Sequence, residues 1–323
     1  MTANLNEYKR MRSVIFVVGA TAIGKTQLSL KIAEKLPVEI VSADSRQIYR
    51  FLDIGTAKPT REILKKVTHH FINFLRPDEY FSAGMYSQVA RRVVDQIFER
   101  KNLPLVVGGS GLYIKALIDG LSNVEVRDEK IRSSLRHRLL TEGIQKLYAE
   151  LENVDPVLAK RIQKNDKQRI IRGLEVYLKT GRRLSELQEA QTKPAAFHPL
   201  LFGLTAEREW LYERINTRVD QMLEQGFLSE AANLKLKGFG THLNAFNTVG
   251  YKEVFHYLEN RMNFDDMIAL IKQNSRKYAK RQLTWFRQDK RIIWFKLDDT
   301  TDLSFIAQKI ITKYKQILDQ KVK

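Results

Sequence analysis

Three features of the 323-residue chain predict an α/β fold: a mostly parallel sheet flanked by helices, with a small all-helical insertion. The first is the apolar run Val14-Ile15-Phe16-Val17-Val18, which passes through a glycine-rich turn into a helix-forming stretch, Gln27 to Lys35. The second is repetition of that run. "VEIVSAD" (38–44) and "LPLVVGGSG" (103–111) are further short apolar segments, with an amphipathic stretch between them. Strands that alternate with helices pair in parallel, because each crossover carries the chain back to the end of the sheet where it began. The third is residues 125–198, rich in Arg, Lys, Glu, Gln and Leu, without strand-like runs and closed by the proline-marked "TKPAAFHP".

The elements follow in order. Gly19 to Thr26, "GATAIGKT", fit G-x-x-x-x-G-K-[S/T] after a strand and before a helix, the context that a P-loop requires, so the sheet is P-loop NTPase-like. Glycines let the backbone N–H groups curl toward phosphate oxygens, and the helix amino end adds partial positive charge. Gly19, Ala20, Thr21, Ala22, Ile23, Gly24, Lys25 and Thr26 are therefore assigned to a phosphate-holding loop, with Lys25 adding a full charge and Thr26 a hydroxyl ligand for Mg²⁺. The motif does not say whose phosphate it holds, and ATP stands open on this pattern alone. Ser82 is expected to cap a helix with its apolar face at Met85, Val89, Val93 and Ile97, ending near Asn102. "LLFGLT" (200–205) returns to the sheet, helical stretches cover 207–237 and 249–288, and "RIIWFKLD" (291–298) is a last strand. The expected organisation is a P-loop core over 13–124, a helical insertion over 125–198, and the second part of the core with basic C-terminal helices over 199–323.

Composition narrows the function. Lys and Arg number 55 against 37 Asp and Glu, a net charge of +18, as in proteins that hold a phosphate backbone. With no cysteine, disulfides, thiolate catalysis and cysteine-ligated zinc are excluded. The six histidines include the neighbours His69 and His70 but no H-x-x-x-H spacing that would put two imidazoles on one helix face. No window approaches the roughly 18 consecutive apolar residues of a membrane span. "MTANLNEYKRMRS" lacks the apolar stretch of a signal peptide, so a cytoplasmic protein is expected. No coiled-coil heptads appear, and the default is a monomer.

Ligands of open α/β sheets gather at the carboxyl ends of the strands, which brings the P-loop, Asp44 and Gly108 to Gly111 to one rim. A carboxylate at Asp44 serves either as metal ligand or general base, or as a turn or cap residue. "GGSG" allows a ligand or another backbone to approach closely, or is a plain turn. Arg214 and Arg218, four apart on one helix face, either stabilise charge on a departing phosphate or form a solvated basic face. Between Lys272 and Arg291 there are eight Lys or Arg and one acid, Asp289, interleaved with Tyr278, Trp285 and Phe286. "QRIIRGLEVYLKTGRR" (168–183) repeats that pattern, which suits looped or single-stranded RNA. The alternative is core aromatics with solvated lysines, and both are expected in part, with the aromatics inside and the charges outside.

Together these segments resemble one family, the tRNA dimethylallyltransferases (tRNA isopentenyltransferases), in its compact bacterial form. The matching stretches, in the family's order from about residue 14 to 288, are "GATAIGKT", "SADSRQIYRFLDIGTAKPT", "HHFINF", "LVVGGSGLYIKAL", "NDKQRIIRGLEVYLKTGR", "NTVGYKE" and "KRQLTWFR". The resemblance implies transfer of a dimethylallyl group from dimethylallyl diphosphate to N6 of the adenosine 3′ of the anticodon (position 37) of tRNA, with release of diphosphate. The P-loop then holds the donor's diphosphate together with Mg²⁺. By position, Asp44 matches the general base, and Arg218 the arginine that supports the diphosphate beside Lys25 and Thr26. The resemblance further implies RNA contacts at Asp44, Ser45, Arg46 and Gln47, at Ser110 and Arg132, and at Gln168, Arg169, Ile170, Ile171 and Arg172. It adds Thr248, Val249, Gly250, Tyr251, Lys252 and Glu253, and then Lys280, Arg281, Gln282, Leu283, Thr284, Trp285, Phe286 and Arg287. Where family members often carry Pro and Thr, this chain has Ala20 and Ser110, and neither change removes a needed group.

Overall fold

A computed structural model describes residues 12–121, 126–191 and 193–319. The chain runs β1 (Ser13–Gly19), α1 (Lys25–Ala33), β2 (Val38–Ser42), α2 (Arg61–Lys66), β3 (His69–His70), α3 (Ala83–Glu99), β4 (Leu103–Gly108) and α4 (Gly111–Asp119). A purely helical stretch follows: α5 (Glu129–Thr141), α6 (Ile144–Val154), α7 (Pro156–Arg161), α8 (Lys167–Thr180) and α9 (Leu184–Gln191). The chain then returns through β5 (His198–Ala206), α10 (Arg208–Glu224), α11 (Phe227–Leu236), a 3₁₀ turn (Asn244–Phe246), α12 (Tyr251–Leu258), α13 (Phe264–Phe286), β6 (Ile293–Leu297) and α14 (Leu303–Asp319).

The strands form one sheet in the order β3-β2-β4-β1-β5-β6, every pair parallel. β1 lies at its centre, between β4 and β5, so all its side chains are buried and no polar alternation marks it as a strand. Val14, Phe16 and Val18 face a core completed by α3, α4, α11 and α12, while Ile15 and Val17 face a second core completed by α1 and α14. The chain leaves β1 toward β2 on one side and later returns to β5 on the other. This change of direction opens a crevice at the carboxyl end of β1, where the P-loop sits.

Ser82 caps α3 as expected, its Oγ accepting from the Met85 N–H at 3.1 Å. The buried face of α3 differs from expectation. Tyr86, Ala90, Val94 and Ile97 are fully buried, whereas Met85, Val89 and Val93 are only partly so. The buried face centres on Tyr86, Ala90, Val94 and Ile97, and Met85, Val89 and Val93 pack at its edge. The stretch expected over 207–237 breaks at Gly226, where φ is 97°, and that over 249–288 breaks after Asn260, at φ 57°, before Asn263 caps α13 through the Asp266 N–H at 2.8 Å. The helical stretch α5–α9 has a core of its own around Leu147, Leu151, Ile170 and Leu174. Its expected beginning at residue 125 lies outside the described residues, as do residues 1–11.

Candidate active site

A cleft of about 730 Å³ opens at the carboxyl ends of the central strands, lined by Thr21, Lys25, Thr26, Asp44, Arg218 and Tyr278 among others. The P-loop owes its shape to backbone that L side chains rarely adopt. Gly24 has φ 103°. Gly19 has φ 149°, and a Cβ there would come within 2.9 Å of the Leu204 carbonyl oxygen on β5. Ala22 is held at φ 62° despite its side chain. Ala20 and Ile23 bury their side chains in the core.

Lys25 Nζ donates to the carbonyl oxygens of Gly19 at 3.0 Å and Ala20 at 2.6 Å. Burial lowers the Lys25 ammonium pKa to about 8, with Asp44 opposing the shift and Arg218 adding to it. Burial also lowers the Arg218 pKa, and Asp44 again opposes the shift. The three groups therefore feel one another across the cleft, two cations and one anion. Asp44 Oδ1 accepts from the backbone N–H of Arg46 at 2.8 Å and of Gln47 at 3.2 Å. Asp44 thus makes the turn contacts foreseen as one of its alternatives while also lining the cleft. Arg214 Nε donates to the Ala22 carbonyl at 3.1 Å while its guanidinium lies over Trp210. Arg214 is exposed yet reaches the P-loop backbone, while Arg218 is half-buried on the cleft and donates to the Thr56 carbonyl at 3.4 Å.

Helix α13 closes the cleft from above. Gln282 Oε1 accepts from the Thr21 N–H at 2.9 Å, and its Nε2 donates to the Gly109 carbonyl at 2.9 Å, tying the P-loop to the "GGSG" turn. That turn is small for internal reasons. A Cβ on Gly108 would lie 2.2 Å from the Ala43 carbonyl oxygen, on Gly109 2.2 Å from Gln282 Nε2, and on Gly111 2.1 Å from the Trp285 ring. Of the two openings the sequence left for "GGSG", close approach of other parts of the chain is the one realised at these glycines.

The residues matched to RNA contacts divide by exposure. Gln168, Arg169, Lys252, Lys280, Arg281, Thr284, Trp285 and Arg287 are exposed. Gly250 is buried, and so are Ile170, Tyr251, Glu253, Gln282, Leu283 and Phe286, whose side chains pack inside the fold. Ser45, Ser110, Thr248, Val249 and Ile171 are intermediate. Arg46 donates to the carbonyls of Asn244 at 2.5 Å and Asn247 at 3.1 Å, and Gln47 Nε2 to those of Thr56 and Ala57, each at 3.1 Å. Arg132 and Arg172 both pair with the fully buried Glu175, at 2.8 Å each. These arginines face a second cavity of about 1010 Å³ between the helical stretch and residues 241–256.

Tyr278, singled out in the sequence only as one of the aromatics among the cations of 272–291, lines the cleft, and burial pushes its phenol up to about 12. Two further residues had no individual signal in the sequence. Lys58 Nζ, nearly buried, donates to Asp53 Oδ1 at 2.7 Å and Asn73 Oδ1 at 2.6 Å. Glu230 accepts from the N–H groups of Asp53, Ile54 and Gly55 at 2.8–3.1 Å. Lys58 and Glu230 together brace the loop after Asp44, and a polar residue whose partner lies far along the chain leaves no local pattern to read.

The sequence model of the family described as IPP transferase matches residues 47–289. A tRNA dimethylallyltransferase of Syntrophotalea carbinolica is 47% identical over 282 residues, 87% of this chain and 90% of the relative. The chain belongs to the tRNA dimethylallyltransferase family. Among solved structures, a tRNA isopentenylpyrophosphate transferase from Bacillus halodurans superimposes with a TM-score of 0.71 at 37% identity, covering 97% of this chain and all of that one. A eukaryotic dimethylallyltransferase acting on tRNA superimposes with a TM-score of 0.78 at 27% identity, covering 95% of this chain and 80% of that one. The P-loop NTPase-like parallel sheet is thus the family's fold. Among the described residues no group of three or more His, Asp or Glu could hold a metal ion unaided, and no helix is long and apolar enough to cross a membrane. Mg²⁺ bound with a diphosphate needs no such group, since it takes one or two protein oxygens and fills the rest of its shell with phosphate oxygens and water. The Thr26 hydroxyl, on the cleft, is a hard oxygen donor that fits this requirement.

Proposed function

We propose that the chain transfers the dimethylallyl group of dimethylallyl diphosphate to N6 of adenosine 37 of tRNA, with Mg²⁺, acting as a cytoplasmic monomer. The observation that carries this reading is the shared cleft of Lys25, Arg218 and Asp44. Two cations beside a P-loop stabilise negative charge as it grows on a leaving diphosphate, and a carboxylate opposite them is placed to receive a proton. The P-loop N–H groups bind the donor's diphosphate. Its allylic C1–O bond breaks, the electron pair leaves with the diphosphate, and Lys25 and Arg218 offset the charge. The N6–C1 bond forms, and the N6 proton passes to the Asp44 carboxylate. Mg²⁺ held by the Thr26 hydroxyl would supply further Lewis-acid stabilisation of the diphosphate. The adenosine must swing out of its stacked loop to reach Asp44, and the exposed cations of α13 and of the helical stretch hold the backbone while it does so.

The P-loop ligand is tested by equilibrium binding of labelled dimethylallyl diphosphate in the presence of unlabelled competitors. Displacement by inorganic diphosphate, with ATP a weak competitor, supports the reading. Tight ATP binding with no measurable binding of the prenyl donor would point to an ATP-dependent enzyme instead.

A further inference from the structure

The cavity between the helical stretch and the core holds a surface that no step above uses. Tyr80, in the loop before α3, is 44% exposed, and the Arg127 guanidinium lies over its ring at 4.4 Å from the centroid. Leu112, in the first turn of α4, is 46% exposed and lines the same cavity. The walls carry Arg132, Arg136, Arg172 and Lys252. The Tyr80 ring, backed on one face by Arg127, and Leu112 make an apolar floor among arginines, of which Arg127 and Arg136 pair with Glu129 and Arg132 and Arg172 with Glu175. An unstacked nucleobase matches both halves, because its π-face covers the floor while its flanking phosphates meet the walls.

The cavity also lies next to Asp44. Arg46, whose N–H Asp44 holds, donates through its guanidinium to the carbonyls of Asn244 and Asn247, and both asparagines line the cavity. A base seated on Tyr80 is therefore a near neighbour of one presented to Asp44.

We propose that Tyr80, backed by Arg127, is a stacking platform for the unpaired base adjoining the adenosine that Asp44 acts on. The proposal rests on the RNA substrate argued above. By holding the neighbouring base the platform keeps the loop open, so the target does not restack before transfer.

The test uses the full chain and anticodon stem-loop RNAs that carry 2-aminopurine on the 5′ or the 3′ side of the target adenosine. Native protein and Tyr80→Phe should quench the probe at one of the two positions on binding. Tyr80→Ala should leave that position bright and raise the RNA KM roughly 10-fold, with a smaller loss in kcat. Arg127→Ala, which keeps the ring, should give partial quenching. The platform is refuted if folded Tyr80→Ala matches native protein in both quenching and KM. Failure of the native protein to prenylate any RNA would instead overturn the functional reading, so the two failures are distinguishable.

Discussion

Replacing Asp44 by Asn separates the two roles that the structure gives this side chain. Oδ1 accepts from two backbone N–H groups, at 2.8 and 3.2 Å, and the amide oxygen of Asn can accept both. Asp44→Asn should therefore melt within about 0.5 kcal/mol of the native protein, while Asp44→Ala, which drops both bonds, should lose about 2 kcal/mol. Neither variant keeps a proton acceptor for the adenine amine. General-base catalysis contributes about 10²–10⁴-fold, so both should slow the chemical step by that factor, equivalent to about 3–5 kcal/mol of barrier. Asp44 also raises the Lys25 pKa, so its loss lowers the fraction of ammonium, and the assay should run near about pH 6.5, where Lys25 stays charged. The measurement is single-turnover label transfer at saturating RNA and donor, beside thermal melting and an RNA-binding titration. An Asp44→Asn rate within about threefold of native would remove the carboxylate from the chemistry and leave it a turn residue only.

Other outcomes follow from the same geometry. With Lys25 near a pKa of about 8 in the free enzyme, kcat/KM for the donor should fall above that pH, while kcat holds further into base because bound diphosphate raises the lysine's pKa; a flat kcat/KM through this range contradicts the assignment. Stability runs the opposite way: the folded pKa lies below the free value of 10.5, so the native state binds fewer protons between about 8 and 10.5 and gains stability as pH rises through that window. Gln282→Leu breaks both ties between P-loop and "GGSG" turn and should cost about 2 kcal/mol with a raised donor KM. A weakened RNA affinity with an unchanged donor KM would instead make Gln282 an RNA contact. Arg281→Ala should reduce the salt slope of RNA binding by about one unit, and an unchanged slope would show that Arg281 meets no phosphate.

What the sequence made legible was local in origin. Strand, glycine turn and helix are contiguous in "VVGATAIGKT", so the P-loop and its place on the central strand could be read without knowing the sheet order. Asp44 was placed on the rim because it ends a strand. Arg218 stood ambiguous, since its direction depends on α10 packing against α13, two segments far apart in the chain. The same holds for "GGSG", whose glycines answer to Ala43, Gln282 and Trp285, and for Glu230, which reaches back to residues 53–55. In α3 the apolar residues favoured Met85, Val89 and Val93, but the face that packs inward is Tyr86, Ala90, Val94 and Ile97. The basic run on α13 was visible as composition. Its division into exposed Lys280, Arg281 and Arg287 and buried Gln282, Leu283 and Phe286 follows from the helix lying with one face on the core.

The central claim is that this P-loop serves prenyl transfer to RNA, and label transfer tests it most directly. Unmodified tRNA is incubated with Mg²⁺ and radiolabelled dimethylallyl diphosphate, with AMP and ATP as parallel substrates, and the RNA is digested to nucleosides. The account predicts label in N6-(dimethylallyl)adenosine from the position 3′ of the anticodon, at a rate independent of ATP. Label confined to AMP, or ATP hydrolysis with none in the RNA, would contradict it.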